Sequence, residues 1–493
     1  MIVLDGASLR PDGVAAVARG AEQVALDPDA RARNETAREA IAALLARGEP
    51  LYGASTGVGA LRDRAITPRD RERYQWNLLR SHAVTAGPPL PEEQVRAAMV
   101  VRANQLGAGG GGVATPMLDG LITALNSGYT PFARECGAIG TGDLGTLSEI
   151  ALALLGEGSV RKGGRQVDAP GVCGPVTLGL RDGLSFISSN ATTIGQATLV
   201  WHDARILLEA WLATAALSFE AVGADTVVLA DPVQAGHGSP DQAAVARRMR
   251  ELLHGYEPRP DLERPVQDPY PFRVMAQVDA VPHGALHALL QILVRELNSR
   301  CENALIEQGR AWPNGNFHGA ELAGALDTLR AALAQSASLI ATRVGVMLEP
   351  GFSGLPQFLA AEPGVQSGAM MIEYVAHAAA SEVRSLATPV ATQSVTASMG
   401  VESHGSLSGT SAKRAAEQLR AMRILVACEL LLAVRALRLA GRAPSGAGTA
   451  ALFKRAGAVL SPDLADRPLS GDLELARSLL AEFPPAPPAL PAH

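Results

Sequence analysis

Five stretches of this chain, at 190–222, 283–306, 318–348, 367–398 and 411–439, carry apolar residues at helical spacing, and several exceed 25 residues. Helices that long, without heptad regularity, need neighbours on most sides, so the chain is confined to a bundle whose central helices are largely buried. A shorter stretch of the same texture covers 144–155. Residues 1–140 are different: Gly and Pro interrupt them, leaving short helical pieces at 29–46 and 92–106. Strand-like alternation is limited to the first few residues and Thr226–Leu229. The expected fold is mainly α, an elongated bundle of long central helices with a Gly/Pro-rich mixed N-terminal region. Its expected regions are 1–190 as the Gly/Pro-rich N-terminal region, 191–445 with the long helices, 446–482 as a C-terminal helical segment, and 483–493 as an extended or disordered Pro-rich tail.

The charge balance argues against nucleic acid as a partner. Forty-three basic against 49 acidic residues leave a net charge of −6, where a nucleic-acid binder shows a basic surplus. The four cysteines (Cys136, Cys173, Cys301, Cys428) are widely spaced without a CxxC pair, which points to a reducing compartment and to neither a disulfide framework nor a zinc site. The N-terminus lacks the basic and apolar regions of a signal peptide. The longest apolar run, 424–439, is interrupted by Glu429, Arg435 and Arg438, too polar for a bilayer. A cytoplasmic protein without membrane association is expected.

Three local signals read as structural. The GxGxxG match within Gly107-Ala-Gly-Gly-Gly-Gly112 follows a helical segment and no βαβ pattern surrounds it, so it is not a dinucleotide loop. His283 and His287 stand one helical turn apart, but no acidic residue completes an HExxH motif, and they read as surface histidines. Thr146-Leu-Ser-Glu149 has capping-box form, and Asp143 is an equally good N-cap for a helix starting at Leu144.

The loop Tyr52-Gly-Ala-Ser-Thr-Gly-Val-Gly59 is more informative, because its glycines permit a tight turn that brings a phenol close to a ligand. Several segments, in order, resemble the aromatic amino acid ammonia-lyases, most nearly those of the histidine type. The Tyr52 loop is similar to that family's YGxNTGFG, and Gln75-Trp-Asn-Leu-Leu-Arg-Ser-His-Ala83 to LQxNLIxSHA. Val266-Gln-Asp-Pro-Tyr-Pro-Phe-Arg273 is similar to VQDAYSLR, and Gly315-Asn-Phe-His-Gly319 and Glu402-Ser-His-Gly-Ser406 complete the set over roughly residues 5–445. The resemblance implies an almost wholly helical homotetramer, a small amino acid substrate, and active sites assembled from more than one subunit. It assigns Tyr52 as the base that takes the substrate β-proton, Tyr270 as a second active-site tyrosine, and Arg273, with Gln267 nearby, as the carboxylate anchor. His82 and Glu402 would contact the substrate side chain. An acid at 402 is the choice that suits an imidazole. Phe317 matches the aromatic residue beside the family's electrophile.

That electrophile, 4-methylidene-imidazole-5-one (MIO), forms within the chain from Ala-Ser-Gly, so no external cofactor is implied. Here the family's Gly-Ser-x-Gly-Ala-Ser-Gly-Asp-Leu is replaced by Gly137-Ala-Ile-Gly-Thr-Gly-Asp-Leu144, one residue shorter, leaving Gly140-Thr141-Gly142 as the only possible triad. A dehydrated Thr would place a methyl on the carbon that must accept the amine. Ser188 stands where the family has the Asn that bonds the ring, and Ser55 replaces the Asn of the first loop. The changes cluster on the electrophile while base, anchor and side-chain pocket remain. The expectation is a lyase that uses tyrosine-assisted elimination without a standard MIO. The alternatives are an ordinary ammonia-lyase or aminomutase with a Gly-Thr-Gly-derived group, and an amino-acid-binding protein without chemistry.

Overall fold

A computed structural model describes residues 1–162, 164–257 and 266–486. It is mainly helical, as the spacing requires, and the chain divides into two compact units. The tail beyond 486 lies outside the described residues.

The first unit comprises residues 1–202, 289–326 and 389–413. Its helix Glu92–Gly107 is buried along its whole length from Val95 onward. Four polar side chains go down with it, Arg96, Arg102, Asn104 and Gln105, and each is tied to neighbouring chain. Arg102 donates to Phe186 O at 2.8 Å, to Ser185 O and to Glu302 at 3.2 Å. Asn104 accepts from Gly6 N and donates to Leu297 O. This helix thereby fixes the Ser185–Phe186 turn and the 297–302 stretch, which border the site described below. The expected N-terminal strand is present as Ile2–Leu4, parallel to Val24–Leu26. Small antiparallel pairings that the alternation did not reveal also occur, among them Leu305–Glu307 with Arg310–Trp312. Each is too short to show a period.

The second unit comprises residues 203–288, 327–388 and 414–493. Its polar core joins segments of four long helices, Ala191–Val222, Met275–Leu297, Ala320–Leu348 and Ser408–Leu439. Arg343 holds Glu429 bidentately at 2.7 and 3.0 Å, and Ser218 donates to the same carboxylate. Trp211 Nε1 and Ser336 Oγ both donate to Asp279. By length and composition Ala320–Leu348 could cross a bilayer, but most of its apolar window is buried inside the protein, as in a core helix.

Three expectations are corrected. Thr226–Leu229 is a 3₁₀ turn, because the Asp225 carboxylate accepts from Val227 N at 2.9 Å and caps it. The helix expected at 367–398 spans only Met370–Ser385, since Arg330 draws off the Leu386 and Thr388 carbonyls just ahead of Pro389. The helix expected at 283–306 instead spans Met275–Leu297 and carries Pro282 in its first turns.

Burial pushes the Asp279 carboxyl up to about 6. In the unfolded chain it ionises near 3.8, so its protonated form contributes stability fully below that value, and the contribution is lost as pH rises through about 6. Asp279→Asn should therefore flatten the decline of Tm between pH 4 and 7. Equal slopes in the variant and the parent would show that Asp279 is ionised in the folded protein throughout.

Candidate active site

The loop that carries Tyr52 is shaped by its own small residues. Leu51 N donates to Ser55 Oγ at 2.8 Å, so the serine closes the turn. Gly53 adopts φ +74°, and a Cβ there would meet the Leu184 side chain at 2.1 Å, so only glycine allows the loop this close to the Asp182–Ile187 helix. Gln75 Nε2 donates to Gly53 O at 2.9 Å and Arg181 Nε to Tyr52 O at 3.0 Å. At the loop's far end the Gly59 N–H donates to Tyr52 Oη at 2.8 Å, placing a positive dipole on the phenol oxygen.

The Gly59 end meets a second loop. Ala60 N donates to Ser398 Oγ at 3.1 Å, and Glu402 follows on a bridge in which Ala397 N donates to Glu402 O at 2.8 Å. Ser398, Met399 and Leu407 adopt positive φ in this loop, the backbone strain that collects where geometry is over-determined. Thr141 Oγ1 lies 3.5 Å from Glu402 Oε2. Tyr52, Thr141 and Glu402 are thus linked through one set of loops in the first unit.

The Gly140-Thr141-Gly142 segment is pinned at both ends. Gly140 O accepts from Ser406 Oγ at 2.8 Å and from Gly319 N at 3.3 Å. Gly142 N donates to Asn190 Oδ1 at 2.8 Å, and Asn190 Nδ2 donates to Phe317 O. Gly140 has φ +80°, and a Cβ on it would come within 2.0 Å of Ser406 Oγ and 2.8 Å of Leu407 N. The Ser188 hydroxyl does not face this segment; it accepts from Asn303 N at 3.1 Å, and the amide that reaches Gly142 is Asn190. Asp143 makes no side-chain cap for the Leu144–Leu155 helix. Its buried carboxylate accepts from Thr193 N and Oγ1, and burial pushes it up to about 6 against those bonds.

Charge behind the site is buried. Arg181 is pushed down to about 10 by desolvation, opposed by Glu302 and Tyr52, and so stays cationic at neutral pH. It also donates to Asn303 O and Ala304 O, tying the Tyr52 loop to the chain around Glu302. Tyr74 is half-buried with its Oη enclosed and without a hydrogen-bond partner among the described residues, pushed up to about 12 by desolvation and then by Tyr52. His82, at the end of Arg71–His82, faces Leu78 O with Nδ1 at 2.8 Å, which in the neutral ring leaves Nε2 as the acceptor.

Gln267, Tyr270 and Arg273 form a cluster of their own in the second unit. Arg273 donates to Gln267 Oε1 and stacks over the Tyr270 ring at 5.5 Å, while Tyr270 is 67% exposed. Sequence reading did not single out Arg181, Asn190, Ser398 or Ser406. Their roles depend on neighbours distant along the chain, and only the position of Asn190 just ahead of a long helix offers a local signal.

Comparison with known proteins agrees with this architecture. The family model for aromatic amino acid lyase matches residues 9–458. Histidine ammonia-lyase of Symbiobacterium thermophilum is 34% identical over 485 residues, covering 96% of each chain. Among solved structures, the ergothioneine-degrading enzyme ergothionase of Treponema denticola is 28% identical with a TM-score of 0.92, covering 97% of this chain and 98% of its own. Tyrosine aminomutase of Streptomyces globisporus is also 28% identical, with a TM-score of 0.92 over 97% and 96%. With the family match running almost from end to end, and relatives of one fold over nearly their full length, this chain belongs to the aromatic amino acid lyase family and is a carbon–nitrogen lyase.

Proposed function

We propose that the protein eliminates an amine from a small aromatic or imidazole-bearing amino acid by tyrosine-assisted proton abstraction, without a standard MIO. The observation that carries this is Gly140. The family's alanine does not fit there, because its Cβ would overlap Ser406 Oγ and the Leu407 backbone. Thr141 replaces the serine, and Gly142 N–H is occupied by Asn190 Oδ1. These residues do not fit the standard group, and no step is routed through it.

The remaining residues have separable tasks. Tyr52 takes the β-proton, with the Gly59 N–H stabilising charge on its oxygen. The cationic Arg181 bound to the Tyr52 carbonyl adds positive potential. Arg273 captures the carboxylate in bidentate fashion, with Gln267 and Tyr270 holding its fork in place. Glu402 and His82 receive a cationic or hydrogen-bonding side chain. A general base contributes about 10²–10⁴-fold, too little to deaminate an unactivated amino acid. The substrate therefore has a more acidic β-proton, a better leaving group, or both. A panel of histidine, tyrosine and ergothioneine, compounds named for the relatives, tests this by product formation. Ligand-induced thermal stabilisation without turnover across the panel would instead support a binding protein.

A second reading, an ammonia-lyase or aminomutase with a ring made from Gly140-Thr141-Gly142, is favoured by one feature: the two donors on Gly140 O would stabilise an oxyanion formed there. Intact mass separates the readings. The expected mass is that of the unmodified chain, with no added near-ultraviolet absorbance. A mass lower by two waters would establish the ring. Subunit assembly is proposed to be the homotetramer that the family resemblance implies, with the chain in the cytoplasm.

A further inference from the structure

The geometry points to a divalent transition-metal site, best matched to zinc, formed by Asp241, His283 and His287. All three belong to the second unit. The histidines lie one turn apart on Met275–Leu297, and Asp241 lies in the first turn of Pro240–Leu252. The acid that the sequence around the histidines lacks is thus supplied by another helix. Asp241 Oδ1 is 2.8 Å from His283 Nδ1 and 3.2 Å from His287 Nδ1, and the two rings meet edge to face at 4.4 Å. One ligand atom from each residue lies within 4.8 Å of the others.

The size of this triangle suits zinc. Tetrahedral bonds of roughly 2.0–2.1 Å require donor atoms about 3.3 Å apart, close to the 2.8 and 3.2 Å between Asp241 and the two histidines, with all three ligand atoms within 4.8 Å of one another. Two nitrogens and one carboxylate oxygen leave a fourth position for water, the composition of an open zinc site. With its hydrogen on Nε2, each imidazole presents Nδ1 as a donor to the metal. The side chains are 21–34% exposed, so the ion and its water can reach them.

Gly284 marks the arrangement as a built one. It sits between the histidines, and a Cβ there would come 2.8 Å from Asp241 Oδ2, so any other residue would push the carboxylate away. The ion would cross-link two helices that flank, in sequence, the stretch carrying Gln267, Tyr270 and Arg273. The metal site itself does not depend on the roles proposed for those residues.

The test uses the full untagged chain, stripped with EDTA and titrated with zinc in a calorimeter, with Tm followed in parallel. One zinc per chain is expected, with Tm raised by several degrees and no response to magnesium. Asp241→Asn and His287→Gln should each weaken binding at least tenfold while keeping the helical circular dichroism. Gly284→Ala should weaken it less. A parent chain that takes up no zinc would overturn the proposal, as would zinc bound with unchanged affinity by both Asp241→Asn and His287→Gln.

Discussion

Tyr52→Phe should lower turnover by at least ~10²–10⁴-fold, the contribution of a positioned general base, while leaving the fold intact. The substitution removes one atom, Oη, which accepts from the Gly59 N–H. The bonds that shape the loop use other groups: Arg181 binds the Tyr52 carbonyl, Gln75 the Gly53 carbonyl, and Ser55 the Leu51 N–H. The structural cost is therefore one unmade hydrogen bond at a half-buried position, about 1 kcal/mol. The measurement is kcat on whichever panel compound the parent consumes, together with Tm. A collapse of kcat at nearly constant Tm assigns the base. Unchanged turnover rules Tyr52 out, and the neighbouring Tyr74 is poorly suited to replace it, because desolvation pushes its phenol up to about 12.

The residues that define the long helices were readable because each helix repeats its apolar stripe over many turns, so errors at single positions average out. Local chemistry that competes with that stripe was harder to read. Thr226–Leu229 has a strand's β-branched residues, yet with the Asp225 carboxylate on Val227 N a turn forms instead. At Asp143 the sequence offers a good N-cap, but the buried Thr193 amide and hydroxyl take the carboxylate first. Contacts among the candidate residues were legible where the chain itself brings them together, as in the Tyr52 loop and in Gln267 with Arg273. It was not legible where partners come from far apart. Nothing near Ser406 indicates that its hydroxyl will hold Gly140 O, 266 residues away. Likewise Ser188 sits at the expected position, yet Asn303 claims its hydroxyl and Asn190 reaches Gly142. The Asp241 cluster shows the same limit: the histidine spacing is visible in sequence, but the carboxylate between them is contributed by the fold.

Gly140→Ala separates the two accounts of the shortened loop, and its effect should be large. Part of the cost is conformational, since φ +80° is disfavoured for any residue with a Cβ. The larger part is steric. Ser406 Oγ, at 2.0 Å from the new atom, can rotate away only by giving up its bond to Gly140 O. Leu407 N at 2.8 Å and Ser408 N at 3.0 Å are backbone and cannot rotate at all. Leu407 is itself held at φ +55°, with its N–H on Ile139 O, so the strand of contacts between 139–140 and 406–408 must open. Strain and overpacking together imply a loss of about 2–4 kcal/mol, read from the denaturant midpoint. Turnover should fall as well, because Glu402 lies on the displaced loop. Gly128→Ala is the control: its φ is +70° but nothing lies within 4 Å of the added carbon, so it should lose only about 1 kcal/mol. The difference between the two variants isolates the contact with Ser406–Ser408. A Gly140→Ala protein as stable as the Gly128→Ala control would mean that the loop has room for the family's alanine, and the physical case against a standard MIO at this position would fail with it.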